Sequence, residues 1–201
     1  MKKLFYLVSV GIIILLGYRI FLAPEKDNTA LSLGDTIVCF GDSLTSGTGA
    51  SKGMDYPSQL SKMISKPVIN AGVPGDTTAS ALKRLDQDVL SRLPDMVLIT
   101  LGGNDLKNGI SKDVAFENLK NIVESIQNQG AQVIIGGLKF PLRDRGFGKG
   151  YEELAGETGA ILIPNILKNV IGIRQLMSDP IHPNDAGYQI VAERFYDAML
   201  P

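Results

Sequence analysis

The chain has 201 residues, 44% of them hydrophobic, and its 20 basic and 21 acidic side chains are interspersed for a formal net charge of -1. That length suits one domain able to bury a core without covalent staples, and the lack of a basic patch excludes nucleic acid as a partner. One cysteine and one histidine exclude an internal disulfide and a zinc site of ordinary nitrogen and sulfur ligands, so neither metal nor cofactor is expected.

Lys2 and Lys3 precede LFYLVSVGIIILLGYRIFL, an apolar run unbroken until Arg19, whose side chain can snorkel to the interface. From Leu4 to Leu22 the run is long enough to cross a bilayer as a helix, and the lysines favour a cytoplasmic N-terminus with the rest of the chain in the periplasm or at the cell surface. A cleavable signal peptide, giving a secreted protein, is the competing account. It is disfavoured because Pro24 directly follows Ala23 and Phe21 stands where a small residue is needed. No cysteine closes the run to take a lipid. Residues 1–23 are therefore read as a signal anchor, the polar PEKDNTALSLG of 24–34 as a tether, and 35–201 as the globular domain.

Within the domain, apolar runs alternate with amphipathic stretches, which predicts a three-layer α/β/α sandwich around a five-stranded parallel sheet. The expected strands are TIVCF (36–40), PVIN (67–70), DMVLITL (95–101), QVIIGGL (132–138) and AILIP (160–164). Helices are expected near 57–65, 77–92, 113–129 and 150–158, with a last one over 183–200. Pro57 and Pro183 suit first helical turns, and Gly130 suits a C-terminal stop. Cys39, inside the first strand, reads as a small buried hydrophobe. Thr45, Ser46, Thr48 and Ser51, among Gly47, Gly49 and Gly53, read as a flexible loop.

In an open parallel sheet the residues just after each strand converge at the carboxyl edge, however far apart they lie in the chain. Here they are Gly41-Asp42-Ser43 after the first strand, Asn70 to Asp76 after the second, Gly102-Gly103-Asn104-Asp105 after the third, and Asp179-Pro180-Ile181-His182-Pro183 near the end. A serine, glycine amides, an asparagine amide, a carboxylate and the sole imidazole are what acyl transfer requires. Serine is a poor nucleophile until a neutral imidazole takes its proton, and that imidazole needs an acceptor on its other nitrogen. Ser43, His182 and Asp179 can fill these roles. The Ser43 N–H, the Gly75 N–H and the Asn104 side chain can donate to the oxyanion. Because Asp179 and His182 each precede a proline, a stiff turn rather than a helix is expected between them.

The blocks FGDSLTSGTGA, NAGVPGDTT, LGGNDLKNG and DPIHPNDAGYQ, in this order across 36–190, resemble those of the GDSL, or SGNH, hydrolases, in the branch with bacterial acyl-CoA thioesterases, lysophospholipases and arylesterases. The resemblance implies a flavodoxin-like sandwich and a serine ester hydrolase acting on a small-molecule or lipid ester. It assigns the nucleophile to Ser43, the acid and base to Asp179 and His182, and the oxyanion hole to Ser43, Gly75 and Asn104. KFPLRDRGFGKG (139–150) departs from any one subfamily, so acyl length stays open, as does oligomeric state. Asp42 and Asp105 read as turn or helix caps, Arg143-Asp144-Arg145 as a solvated charge run, and Tyr188 as part of an amphipathic helix. Two rival readings are an O-deacetylase of cell-surface or secreted polysaccharide and a non-catalytic FMN-binding module, with SLTSGTGAS cradling the phosphate.

Overall fold

Strands β1 (Ile37–Gly41) and β3 (Met96–Thr100) are buried at every residue, as continuous β-branched and apolar runs demand when helices cover both faces of a sheet. The structure, a computed structural model, describes residues 36–139 and 144–200. With β2 (Val68–Gly72), β4 (Gln132–Gly136) and β5 (Ile161–Ile163) these strands form one parallel sheet in the order β2-β1-β3-β4-β5. Gly41 aligns with Gly72 on one side and with Thr100 on the other, so the three strand ends next to the serine are level. The edge strands β2 and β5 are only half covered.

The helices are α1 (Ser43–Ser46), α2 (Tyr56–Ile64), α3 (Thr78–Asp88), α4 (Gly103–Asn108), α5 (Lys112–Gln127), α6 (Phe147–Thr158) and α7 (Asp185–Met199). The crossover from β1 through α2 to β2 runs one way along the sheet, whereas those through α3, α5 and α6 run the other way. Right-handed crossovers therefore put α2 on one face and the other three on the opposite face. The packing agrees: α2 rests on α7, α3 on α5, and α5 on α6. Tyr56 stacks on Phe195 at 5.1 Å between ring centroids, joining α2 to α7. Each such fully buried aromatic side chain contributes about 1.5–3 kcal/mol of burial.

Several expectations are corrected. Pro183 is not in the first turn of the last helix: it pairs with Met177 in a short antiparallel bridge, and Asn184 after it caps the helix by accepting from the Gly187 N–H at 3.1 Å. The expected helix over 77–92 ends at Asp88, and a 3₁₀ turn follows over Leu90–Arg92. Helix α6 starts at Phe147, earlier than expected, after Gly146 turns the chain at φ 83°. Two short helices, α1 and α4, were not foreseen. Thr45 and Ser46 lie in α1 rather than in a flexible loop: Thr45 is buried and its hydroxyl bonds Tyr56 at 2.9 Å and Thr100 at 2.5 Å.

The expected signal anchor (1–23) and tether (24–34), and residues 140–143 of the charged segment, lie outside the described residues. Among the described residues no helix is long and apolar enough to cross a membrane.

Candidate active site

Strand β1 ends on a glycine because anything larger would strike Thr45 and the Thr100 backbone. The chain then turns into α1, and Asp42 caps that helix by accepting from the Leu44 N–H at 3.0 Å. This makes Ser43 the first helical residue, with its N–H outside the intrahelical ladder. From the far end of the chain, a bridge between Met177 and Pro183 pinches off the segment carrying Asp179 and His182. One Asp179 oxygen accepts the Ile181 and His182 backbone N–H groups, each at 2.8 Å, so the turn between them is fixed by its own aspartate.

The imidazole Nδ1 lies 2.6 Å from Asp179 Oδ2, and Nε2 lies 3.0 Å from Ser43 Oγ. A carboxylate can only accept, so Nδ1 carries the proton and Nε2 presents its lone pair to the serine. The hydrogen bond from His182, followed by that from the Ile181 N–H, holds the Asp179 carboxyl down at about 2. Such a chain of groups can move the serine proton onto the imidazole and stabilise the cation that results.

Gly102, at φ 112°, starts α4 where a side chain would run into the Tyr151 hydroxyl, itself bonded to the Leu101 carbonyl at 2.6 Å. Asn104 then reaches back over the strand ends, its amide donating to the Asp76 carbonyl at 2.9 Å and to Asp42 Oδ2 at 3.3 Å. Gly75 lies in the turn between β2 and α3 at φ 88°, exposed, and its N–H makes no hydrogen bond among the described residues. The turn is held against β1 by the Val73 N–H, which donates to the Gly41 carbonyl at 3.0 Å. The serine, histidine and aspartate thus touch one another. Asn104 touches the residue after Gly75 and the residue before Ser43.

Asp42 and Asp105 do cap, as their positions after strands suggested. Asp105 caps a different helix from its own, accepting from the Thr78 N–H at 2.9 Å and hydroxyl at 2.7 Å at the start of α3. Burial raises the Asp42 carboxyl to about 6, opposed by the Leu44 N–H and by His182 and reinforced by Asp76 and Asp105. Sequence reasoning missed the contact between Asp42 and Asn104; it placed Asp76 at the strand edge without giving it a role, and nothing in the sequence marked Arg84. The hydroxyls proposed to cradle a phosphate are partly committed elsewhere, Thr45 to Tyr56 and Thr100. Tyr188 is fully buried, and its hydroxyl donates to the Thr48 carbonyl at 2.8 Å. Among the described residues no group of three or more His, Cys, Asp or Glu side chains could hold a metal ion.

A serine bonded to a histidine at the carboxyl edge of a doubly wound sheet defines a class, and the chain's kinship agrees with it. Residues 39–190 match the profile of the GDSL-like lipase/acylhydrolase family. The chain belongs to that family and is a hydrolase acting on ester bonds. It is 27% identical over 184 residues to the esterase TesA of Pseudomonas aeruginosa, covering 86% of this chain and 92% of that one. It is 30% identical over 180 residues to an arylesterase of Vibrio mimicus, covering 83% and 88%. Over 175 residues it is 30% identical to thioesterase 1/protease 1/lysophospholipase L1 of Escherichia coli, covering 83% and 84%. A crystal structure of TesA superposes with a TM-score of 0.78 at 28% identity, over 83% of this chain and 98% of that one. The SGNH-hydrolase family esterase AlinE4 gives 0.68 at 33% identity, over 84% and 99%.

Proposed function

We propose that the chain is a serine carboxylesterase or arylesterase, able also to cleave lysophospholipids or thioesters, with Ser43, His182 and Asp179 as its triad. The observation that carries this reading is the 3.0 Å approach of His182 Nε2 to Ser43 Oγ, backed by Asp179 at 2.6 Å. As Ser43 Oγ bonds to the acyl carbon, its proton passes to Nε2 and the carbonyl electron pair becomes an oxyanion. The N–H groups of Ser43 and Gly75 and the Asn104 amide donate to that oxygen. Of the two Asn104 contacts, the 3.3 Å bond to Asp42 is the longer and the one that can turn toward the oxyanion. Collapse of the intermediate breaks the bond to the leaving group, which takes the proton from Nε2. Water then repeats both steps on the acyl-enzyme.

The substrate class rests on the names of the relatives and on the site's rim. Val73 and Ile181, close in sequence to Gly75 and His182, are apolar and exposed, which suits an ester with hydrocarbon or aryl substituents. The N-terminal segment is proposed to anchor the domain outside the cytoplasmic membrane. Added protease should then release the domain from intact cells, after permeabilisation of any outer layer.

A serine-directed phosphonate tests the chemistry: peptide mass spectrometry should find it on Ser43, and label on another residue would overturn the assignment. A panel of p-nitrophenyl esters from acetyl to palmitoyl, with lysophospholipid, acyl-CoA and acetylated glycans, tests the substrate. Hydrolysis confined to acetylated glycans would favour the O-deacetylase instead.

A further inference from the structure

Arg84 has no part in the chemistry above, yet its guanidinium is among the most fully engaged groups at the carboxyl edge. It projects from α3 with its side chain 16% exposed. Nε donates to Asp76 Oδ2 at 2.6 Å, Nη2 to the Gly41 carbonyl at 2.9 Å, and Nη1 to the Ala71 carbonyl at 3.0 Å and to Asp88 Oδ2 at 2.9 Å. The group also lies over the Phe40 ring, 4.4 Å from its centroid. An arginine serving only its own helix would pair with Asp88 one turn on and stay in solvent. That pair accounts for one of the four hydrogen bonds.

The other three join the segments that carry the proposed oxyanion donors. Gly41 ends β1 two residues before Ser43. Ala71 lies at the end of β2, and Asp76 directly follows Gly75. The Asp76 carbonyl in turn receives the Asn104 amide at 2.9 Å. One planar cation therefore ties together the segments carrying Ser43 and Gly75, and it meets Asn104 only through Asp76.

We propose that Arg84 is a positioning residue of the oxyanion hole, fixing the Ser43 and Gly75 N–H groups and, through Asp76, the Asn104 amide. The inference rests on the esterase reading above. Oxyanion donors are effective because they are held in place before the charge develops, and a misplacement of about 1 Å can cost about a hundredfold. Lysine cannot replace the device: it supplies a point charge beside Asp76 but not a rigid fork reaching two backbone carbonyls at once.

The test compares Arg84→Lys and Arg84→Gln in the full chain, with p-nitrophenyl acetate as substrate and the phosphonate as probe. Both variants should lose about tenfold to a hundredfold in kcat with KM within about twofold, and phosphonate inactivation should slow in proportion. The lysine variant should recover much of any lost melting temperature but not the lost kcat. Added to Asn104→Ala, either substitution should cost much less than it does alone, because both act on one oxyanion. Asp88→Asn, which alters a partner on Arg84's own helix and no donor-bearing segment, should leave kcat unchanged. Folded Arg84 variants with normal kcat, or full multiplicative losses with Asn104→Ala, would overturn the proposal. Should the glutamine variant fail to fold, the lysine variant decides alone, since it keeps the charge beside Asp76. Ser43→Ala separates the two readings: an active Ser43→Ala enzyme defeats the esterase mechanism, whereas an inactive one beside fully active Arg84 variants defeats only the role of Arg84.

Discussion

The two halves of the proposed site are built in opposite ways. The acid-base half is local and wet: every bond fixing His182 to Asp179 spans three residues, and the Asp179 side chain is 43% exposed. The oxyanion half is assembled from afar and mostly dry. Asn104 is held across 28 and 62 residues, Arg84 reaches Gly41 across 43, and Asp42 is only 3% exposed. In water a charged pair needs few partners because solvent satisfies the rest. In a buried edge each polar group left unmatched costs about 1–3 kcal/mol, so Asp42, Asn104 and Arg84 each meet two or more partners there.

Removing the chemistry itself should give the largest effect. Ser43→Ala or His182→Ala should lower kcat by about ten-thousandfold to a millionfold, and the double variant should lose almost nothing more. Asp179→Ala should be milder than either, because water can take the place of the exposed Asp179 carboxylate beside the imidazolium. Steady-state kinetics on the four proteins check this, and a double variant with multiplied losses would mean that the two residues do not act as a unit.

Next in size, Asn104→Ala should lower kcat by about a hundredfold to a thousandfold, or roughly 3–4 kcal/mol, with KM little changed. Its neighbour sharpens the contrast. Asp105→Ala strands the buried Thr78 N–H and hydroxyl, so it should cost about 2–3 kcal/mol of stability in urea denaturation, while the folded enzyme keeps kcat within about tenfold of normal. If the two variants exchanged these signatures, Asn104 would be structural and Asp105 functional.

The smallest expected effect is a slope with pH. The buried Asp42 carboxyl titrates near 6 rather than at its ordinary 3.8. Between those values the native chain holds more protons than the unfolded one, so stability falls as pH rises through the window. Asp179 acts in the opposite sense: its stabilisation is present above 3.8 and is lost as pH falls through about 2. Melting temperatures from pH 4 to 8 should therefore decline less with rising pH in Asp42→Asn than in the parent chain. Parallel curves would remove Asp42 as the source.

The same division decides what was legible in the sequence. The strands could be read because buried parallel strands are continuous apolar runs, and the meeting of Asp179 with His182 could be read because the two stand together with two prolines. Helices α1 and α4 are too short to display a helical period. The glycines around α1 read as loop, although Asp42 sets its start as Gly102 sets that of α4. Pro183 looked like a helix start until Asn184 took the cap. Arg84 lies beside Lys83 on a helix with polar surface, and nothing local distinguishes an inward guanidinium from a solvated one. Its partners are set by the level ends of β1 and β2, a property of the sheet.

The contact between Ser43 and His182 joins residues 139 apart in the chain, one just after the first strand and the other just before the last helix. Contacts of such long range form late, because the loop they close must be ordered first. During refolding, circular dichroism should therefore recover before hydrolysis does. The interval between them measures the docking of α7, with Phe195 settling on Tyr56 and Tyr188 reaching Thr48. A chain still emerging from the ribosome would be inert toward esters until His182 and the helix that follows it had been released.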